Sequence, residues 1–412
     1  MATNRLSNMA TIARTTLAAL ILLLAVAHDA QAKPGDRDLR FGSKSVFTTK
    51  LLDGGFSAAL RPDGRILVAG GLDRPGIVRL TPRGRLDRRF GARGRARMRG
   101  TASLLPFGLR RDATGELHVA AYTIGVNTPP VELLRFSGTG RGLQRTTHDA
   151  FFAGPIRHGI QRRDGGAFVT SADEARAVRP DGTTDTAFGG DGTVSTGVPN
   201  DSAVTALALR PDGRLLVAVR GRVRSRLLQF TPQGQPDPAW RANGVRLPFD
   251  ADSLEVLRNG DVVVARGGPR WIARAIRLTR SGKRRLRFGA NGVAGRFRSK
   301  WAGLVKDVLQ DGRGRIYLLT ESKRIGVVAL SPRGRRIKRF GRGGRMVFPA
   351  PLPENDFPAA DEAAQLLPDR RGGMLVIGTR YQYGIHHPAY GCGIRDDFCA
   401  EEVELAVWRL KR

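Results

Sequence analysis

The chain has two cysteines, five methionines, four tryptophans and five tyrosines in 412 residues. Two cysteines cannot build a disulfide-dense scaffold or a four-thiolate metal centre, so a hydrophobic core must hold the chain together. Lysine is scarce, nine of 69 basic residues, and acids number only 37, which leaves a formal net charge of +32. No apolar run long enough to cross a membrane follows residue 27, and no stretch carries the 3.6-residue periodicity of a long amphipathic helix. These absences exclude a helical body and a membrane-crossing helix after residue 27. What remains is β-rich, with 52 glycines and 23 prolines to punctuate short strands.

Residues 1–32 read as a secretory leader. Arg5 and Arg14 give a positive start, Thr15–Ala27 is an apolar run, and Ala30-Gln31-Ala32 is a small-x-small cleavage site. Cleavage after Ala32 yields a mature protein with no membrane span, either secreted or held in the cell envelope or periplasm.

The mature chain repeats one phrase. Its clearest copy runs Leu60-Arg61-Pro62-Asp63-Gly64-Arg65-Ile66-Leu67-Val68-Ala69, then Ile77-Val78-Arg79-Leu80-Thr81-Pro82-Arg83-Gly84, then Leu86-Asp87-Arg88-Arg89-Phe90-Gly91. Asp63-Gly64 suits a tight hairpin and Pro82-Arg83-Gly84 a second turn, so four short strands fit in about 40 residues. Hairpin glycines are expected at 64, 115, 165, 213, 260, 314 and 373, giving seven copies. The last lacks its fourth strand, while residues 38–46 carry an unpaired one. The pattern predicts an all-β, seven-bladed β-propeller of four-stranded blades, closed by the N-terminal strand completing the last blade.

These words resemble the bacterial delta-60 repeat, a relative of NHL-type propellers. The resemblance spans residues 33–412 and implies a propeller fold and an extracytoplasmic location. It implies no activity.

Within the repeat, Phe41, Phe90, Phe188, Trp240, Phe288 and Phe340 are expected to plug the space between blades. Third-strand arginines should pair with fourth-strand aspartates as Arg79–Asp87, Arg179–Asp185 and Arg409–Asp38, the last tying the termini together. The remaining arginines, from Arg83 to Arg99, Lys283 to Arg287 and Arg333 to Arg345, should form a basic outer rim that attracts acidic polymers or is simply solvated.

One stretch breaks the pattern, an insertion at about 379–402 in blade 7. Cys392 and Cys399 there are expected to form a disulfide, because export favours oxidation and adjacent histidines seldom share an ion. For that reason no metal site is assigned to His386, His387, Cys392 and Cys399. Tyr381, Tyr383, His386, His387 and Tyr390 are its candidate contact residues.

No catalytic motif is present: no Gly-x-Ser-x-Gly elbow and no carboxylates at a spacing that brings them together. The expected function is a non-enzymatic, monomeric binding or scaffold propeller with no cofactor. Its partner would be an anionic polysaccharide, another acidic envelope polymer, or a protein. The alternative is a metal-dependent hydrolase, lactonase-like or glycan-active, using Glu255, Asp307, Asp361 and Glu362 at the channel mouth.

Overall fold

The computed structural model describes residues 33–411 apart from short segments at 99–102, 125–128, 149–155, 198–202, 222–223, 241–243, 269–271, 299–302, 323, 349–358, 371 and 386–397. The proposed leader therefore lies outside the described residues. Seven four-stranded antiparallel sheets form the body. Blade 1 runs Ser57–Leu60, Ile66–Gly70, Gly76–Leu80 and Arg95–Arg97 from inside to outside, and blades 2 to 6 repeat this order between Leu104 and Val347. Innermost strands neighbour one another around the ring, and Ser57–Leu60 meets Ala359–Pro368 of blade 7 to close it.

Closure follows the predicted route. Blade 7 takes three strands from the C-terminal segment, Ala359–Pro368, Met374–Ile385 and Phe398–Leu410, and its outermost strand from Val46–Thr49, paired to Leu405–Trp408. The strand itself lies further along than the expected residues 38–46, most of which form the turns that lead into it, and Lys33–Asp36 replaces the turn that precedes each outer segment. Gly35 N donates to Lys411 O at 2.9 Å, and Arg37 bridges Leu410 as Leu86 bridges Leu80. The hairpin glycine of blade 7 is Gly372, at φ 81°, one residue before the expected position.

The Phe-Gly word now has a mechanical meaning. Phe41 packs on Gly84, Phe90 on Gly140, Phe288 on Gly334 and Phe340 on Gly35, each glycine in the turn of the next blade. At Gly84, φ is +72° and an added Cβ would lie 2.6 Å from the Phe41 ring, so backbone and packing each demand glycine. The glycine after the aromatic donates to the same neighbouring turn, as in Gly91 N to Thr139 O at 2.8 Å. Blades 7, 1, 5 and 6 are thereby each fastened to the next by a buried ring and a backbone bond. The core itself is divided into clusters between neighbouring blades, such as Leu67, Ile77 and Phe90 against Leu109, Leu117 and Phe136.

Candidate functional site

Four regions carry chemistry. The first is the end of the ring formed by the Asp-Gly hairpins. A backbone bond from the start of each outer segment fixes equivalence there: Asp87 N donates to Arg79 O, Asp185 N to Ala177 O, Asp237 N to Gln229 O, Arg285 N to Arg277 O and Asp38 N to Arg409 O. Asp87 is buried and lies 2.9 Å from both Arg79 and Arg65. Burial alone would raise its pKa, but the Arg79 charge, the Arg89 N–H and the Arg65 guanidinium hold it below the ordinary carboxylate value.

All three expected pairs are present, with two changes of emphasis. Arg179 stands 3.3 Å from Asp185 but lies beyond the third strand, Glu174–Val178, in the turn position of Thr81. Asp185 takes its shorter contact, 2.6 Å, from hairpin residue Arg162. Arg409 reaches Asp38 at 3.9 Å but Asp369 of its own blade at 3.2 Å. Blade 5 reverses the charges: Asp261 occupies the hairpin position of Arg65 and Arg285 that of Asp87, and Asp261 accepts from Arg277 and Arg285 at 2.8 Å each. Blade 2 turns the hairpin acidic, with Asp112, Glu116 and His118 offering ligand atoms within 4.8 Å of one another. Thr114, the His118 ring and backbone N–H groups already hold Asp112, and Arg135 holds Glu116 at 2.5 Å, so this group is an ion-paired turn.

The second region is the channel wall. Glu255 and Asp307, from adjacent inner strands, are electrostatic neighbours: burial and the Asp307 charge push Glu255 up to about 8, and burial pushes Asp307 to about 7. Their oxygens serve the backbone. Asp307 follows a β-bulge and accepts from Val308 N at 2.8 Å and Leu366 N at 2.7 Å, which spans two blades. Gln365 follows the equivalent bulge of blade 7 and accepts from Ala58 N at 2.7 Å. Glu362 lies apart from Glu255 and Asp307, beside Glu321, and accepts from the Tyr381 hydroxyl at 3.0 Å. Asp361 is described only as a strand position paired to Arg380. Of the four channel acids, Glu255 and Asp307 thus come together, whereas Glu362 neighbours a different acid, Glu321.

The third is the blade 7 insertion, which begins as strand and not as loop. Thr379–Ile385 continues the second strand and pairs with Phe398–Leu405, because Thr379, Tyr381, Tyr383 and Ile385 alternate with polar residues or glycine. Antiparallel order puts this long hairpin on the opposite end of the ring from the Asp-Gly turns. Tyr381 and Tyr383 are strand residues, whereas His386, His387, Tyr390 and Cys392 lie outside the described residues, and of Cys399 only the pairing with Gly384 is described.

The fourth region is the outer edge of blade 1. Arg83, Arg85, Arg88, Arg89, Arg93 and Arg97 are exposed and have no carboxylate partner among the described residues. A cavity of about 830 Å³ lies over this edge, bounded by Leu51, Arg93, Arg95, Arg97, Phe136 and Arg141. Arg95 is 9% exposed, and its Nη2 donates to Arg74 O at 2.8 Å. Burial holds its pKa below the ordinary arginine value.

The family described as a domain of unknown function (DUF5122) beta-propeller matches residues 61–90 and 210–239, the hairpin-to-Phe phrase of blades 1 and 4. No curated protein matches the chain. Among solved structures, virginiamycin B lyase from Staphylococcus aureus is similar in fold at 12% identity, with a TM-score of 0.52 over 89% of this chain and 99% of that one. A protein from Lactobacillus plantarum gives a TM-score of 0.46 at 13% identity over 89% and 99% of the two chains, and puromycin hydrolase 0.43 at 14% over 88% and 54%. Family phrase, sheet order and fold likeness agree: the chain is a seven-bladed β-propeller.

Proposed function

We propose that the protein is an exported binding propeller that holds anionic polysaccharide along the outer edge of blade 1. The observation that carries this reading is the unneutralised arginine series from Arg83 to Arg97. The repeat pairs the arginines of its hairpins and third strands with acids, as at Asp87 and Asp261, whereas these six guanidinium groups face solvent, as do Arg333, Arg335, Arg339 and Arg342 of blade 6; blade 1 is set apart by the cavity that Arg93 and Arg97 border together with Arg95, Phe136 and Arg141. A guanidinium array of this kind grips carboxylate or sulfate groups through paired N–H donors and attracts them over a Debye length. Glu255 and Asp307 give the hydrolase alternative less support, because both spend carboxylate oxygens on backbone N–H groups.

The test is retention on immobilised heparin. The protein should stay bound above about 0.3 M salt, and Arg88→Ser/Arg89→Ser/Arg93→Ser should elute well below it, since each lost contact lowers the salt dependence. Identical elution of the two proteins would remove blade 1 from the reading.

A further inference from the structure

The hairpin end of the ring contains a second, more enclosed basic feature. Of the residues that open the innermost hairpins, three are arginine: Arg61, Arg162 and Arg210. Arg61 has Asp63 at 3.3 Å, and Arg162 has Asp164 at 2.9 Å and Asp185 at 2.6 Å. Arg210 is only 3% exposed, yet no carboxylate lies within 4 Å of it among the described residues. Its Nε donates to Gln229 Oε1 at 2.5 Å, its Nη1 to Gly260 O at 2.6 Å and its Nη2 to Arg280 O at 3.2 Å, all neutral acceptors. A guanidinium stays charged when buried; burial holds the pKa of this one below the ordinary arginine value, outweighing Asp212 and Asp237, which favour the charge from beyond ion-pair distance.

A cleft of about 430 Å³ between blades 4 and 5 opens beside it, within the size range of ligand sites. The nearby acids are already committed. Asp261 is held by Arg277 and Arg285, Asp237 by Gln229 and Arg214, and Asp212 by Arg214 at 2.5 Å with Arg280 at 3.6 Å. Five guanidinium groups (Arg210, Arg214, Arg277, Arg280, Arg285) therefore face three carboxylates, an excess of two positive charges. Arg280 stands at the cleft mouth with its side chain 72% exposed, and the Thr279 and Ser281 hydroxyls, 3.0 Å apart, lie on either side of it in the chain.

We infer that this cleft binds one acidic saccharide unit, its carboxylate or sulfate oxygens set against Arg210, Arg214 and Arg280 and its hydroxyls against Thr279 and Ser281. The inference rests on the reading of the protein as a binder of anionic polysaccharide, but it uses a different surface from the blade 1 edge. The ring would then hold a polymer by its charge along the rim and one residue of it by shape.

Isothermal titration with sodium glucuronate, with sodium sulfate and with glucose tests it on the mature protein. Glucuronate should bind with a Kd on the order of 1 mM, glucose should give no signal, and sulfate should bind more weakly than glucuronate. Arg280→Ala removes an exposed side chain and should weaken glucuronate binding at least tenfold, while Arg163→Ser, at an exposed arginine of the blade 3 hairpin, leaves it unchanged. Silence with glucuronate, or equal binding by Arg280→Ala, would overturn the site. Sulfate binding as tight as glucuronate would overturn the saccharide assignment. Retention on heparin with no glucuronate response would separate failure of the cleft from failure of the rim.

Discussion

At the hairpin end of the ring Asp87 and Asp261 each accept from two guanidinium groups, whereas in the channel wall Asp307 accepts from two backbone N–H groups. Both sets of buried acids fasten the propeller, and their titration moves in opposite directions. Burial raises all of them; at the hairpin end the arginine charges more than cancel it, while in the channel the backbone dipoles do not. The hairpin acids are therefore locked as carboxylates, and the channel acids titrate near neutrality. Blade 5 adds that the hairpin end keeps a charge balance and not a residue identity, since its acid and arginine have exchanged places between the hairpin and the segment that precedes the outer strand.

The sharpest break in this comparison is at Asp261. Asp261→Asn leaves Arg277, 14% exposed, and Arg285 facing a neutral group, and should lower unfolding free energy by about 3 kcal/mol in chemical denaturation. Asp261→Arg with Arg285→Asp rebuilds the order of blade 1 and should recover more than half of the loss. A double variant no more stable than Asp261→Asn would mean that blade 5 is not an exchanged copy.

A smaller effect separates the two acids around Arg409, which closes the ring and is 2% exposed. Asp369→Ala should lower the Tm more than Asp38→Ala, because the shorter contact, 3.2 Å against 3.9 Å, comes from the hairpin acid. The reverse order would return closure to the terminal pair. That terminal pair was the one visible in the sequence, and the reason is instructive. A phrase with fixed spacing reveals the blades, the aromatic plugs and the split seventh blade, because period and turn chemistry are local. It does not reveal Asp369 or Asp261, because in blade 7 the hairpin adds a second acid to Asp38 and in blade 5 the acid has moved to the hairpin, so neither matches the repeat. Arg179 was legible as a partner of Asp185 but not as a turn residue, since a two-residue offset between strand and turn arginines leaves no mark in composition. The meeting of Glu255 with Asp307, and the parting of both from Glu362, were equally hidden. Inner strands about 50 residues apart carry no record of which side chains share a wall.

The channel half of the comparison predicts the smallest change. Glu255 and Asp307 have folded-state pKa values of about 8 and about 7, above the ordinary carboxylate values near 4 that hold when the chain is unfolded. Stability from these groups is thus complete below about pH 4 and is lost as pH rises through 7 to 8, the opposite sense from Asp87 and Asp261, whose contribution disappears only in acid. Glu255→Gln keeps an acceptor for Gln310 N and removes the charge that faces Asp307. Its Tm should match the parent near pH 5 and exceed it by about 2 °C at pH 8.5, measured by thermal denaturation across that range. A Tm difference between the two proteins that stays constant from pH 5 to 8.5 would mean that Glu255 does not titrate in that range and is held, like the hairpin acids, as a fixed carboxylate.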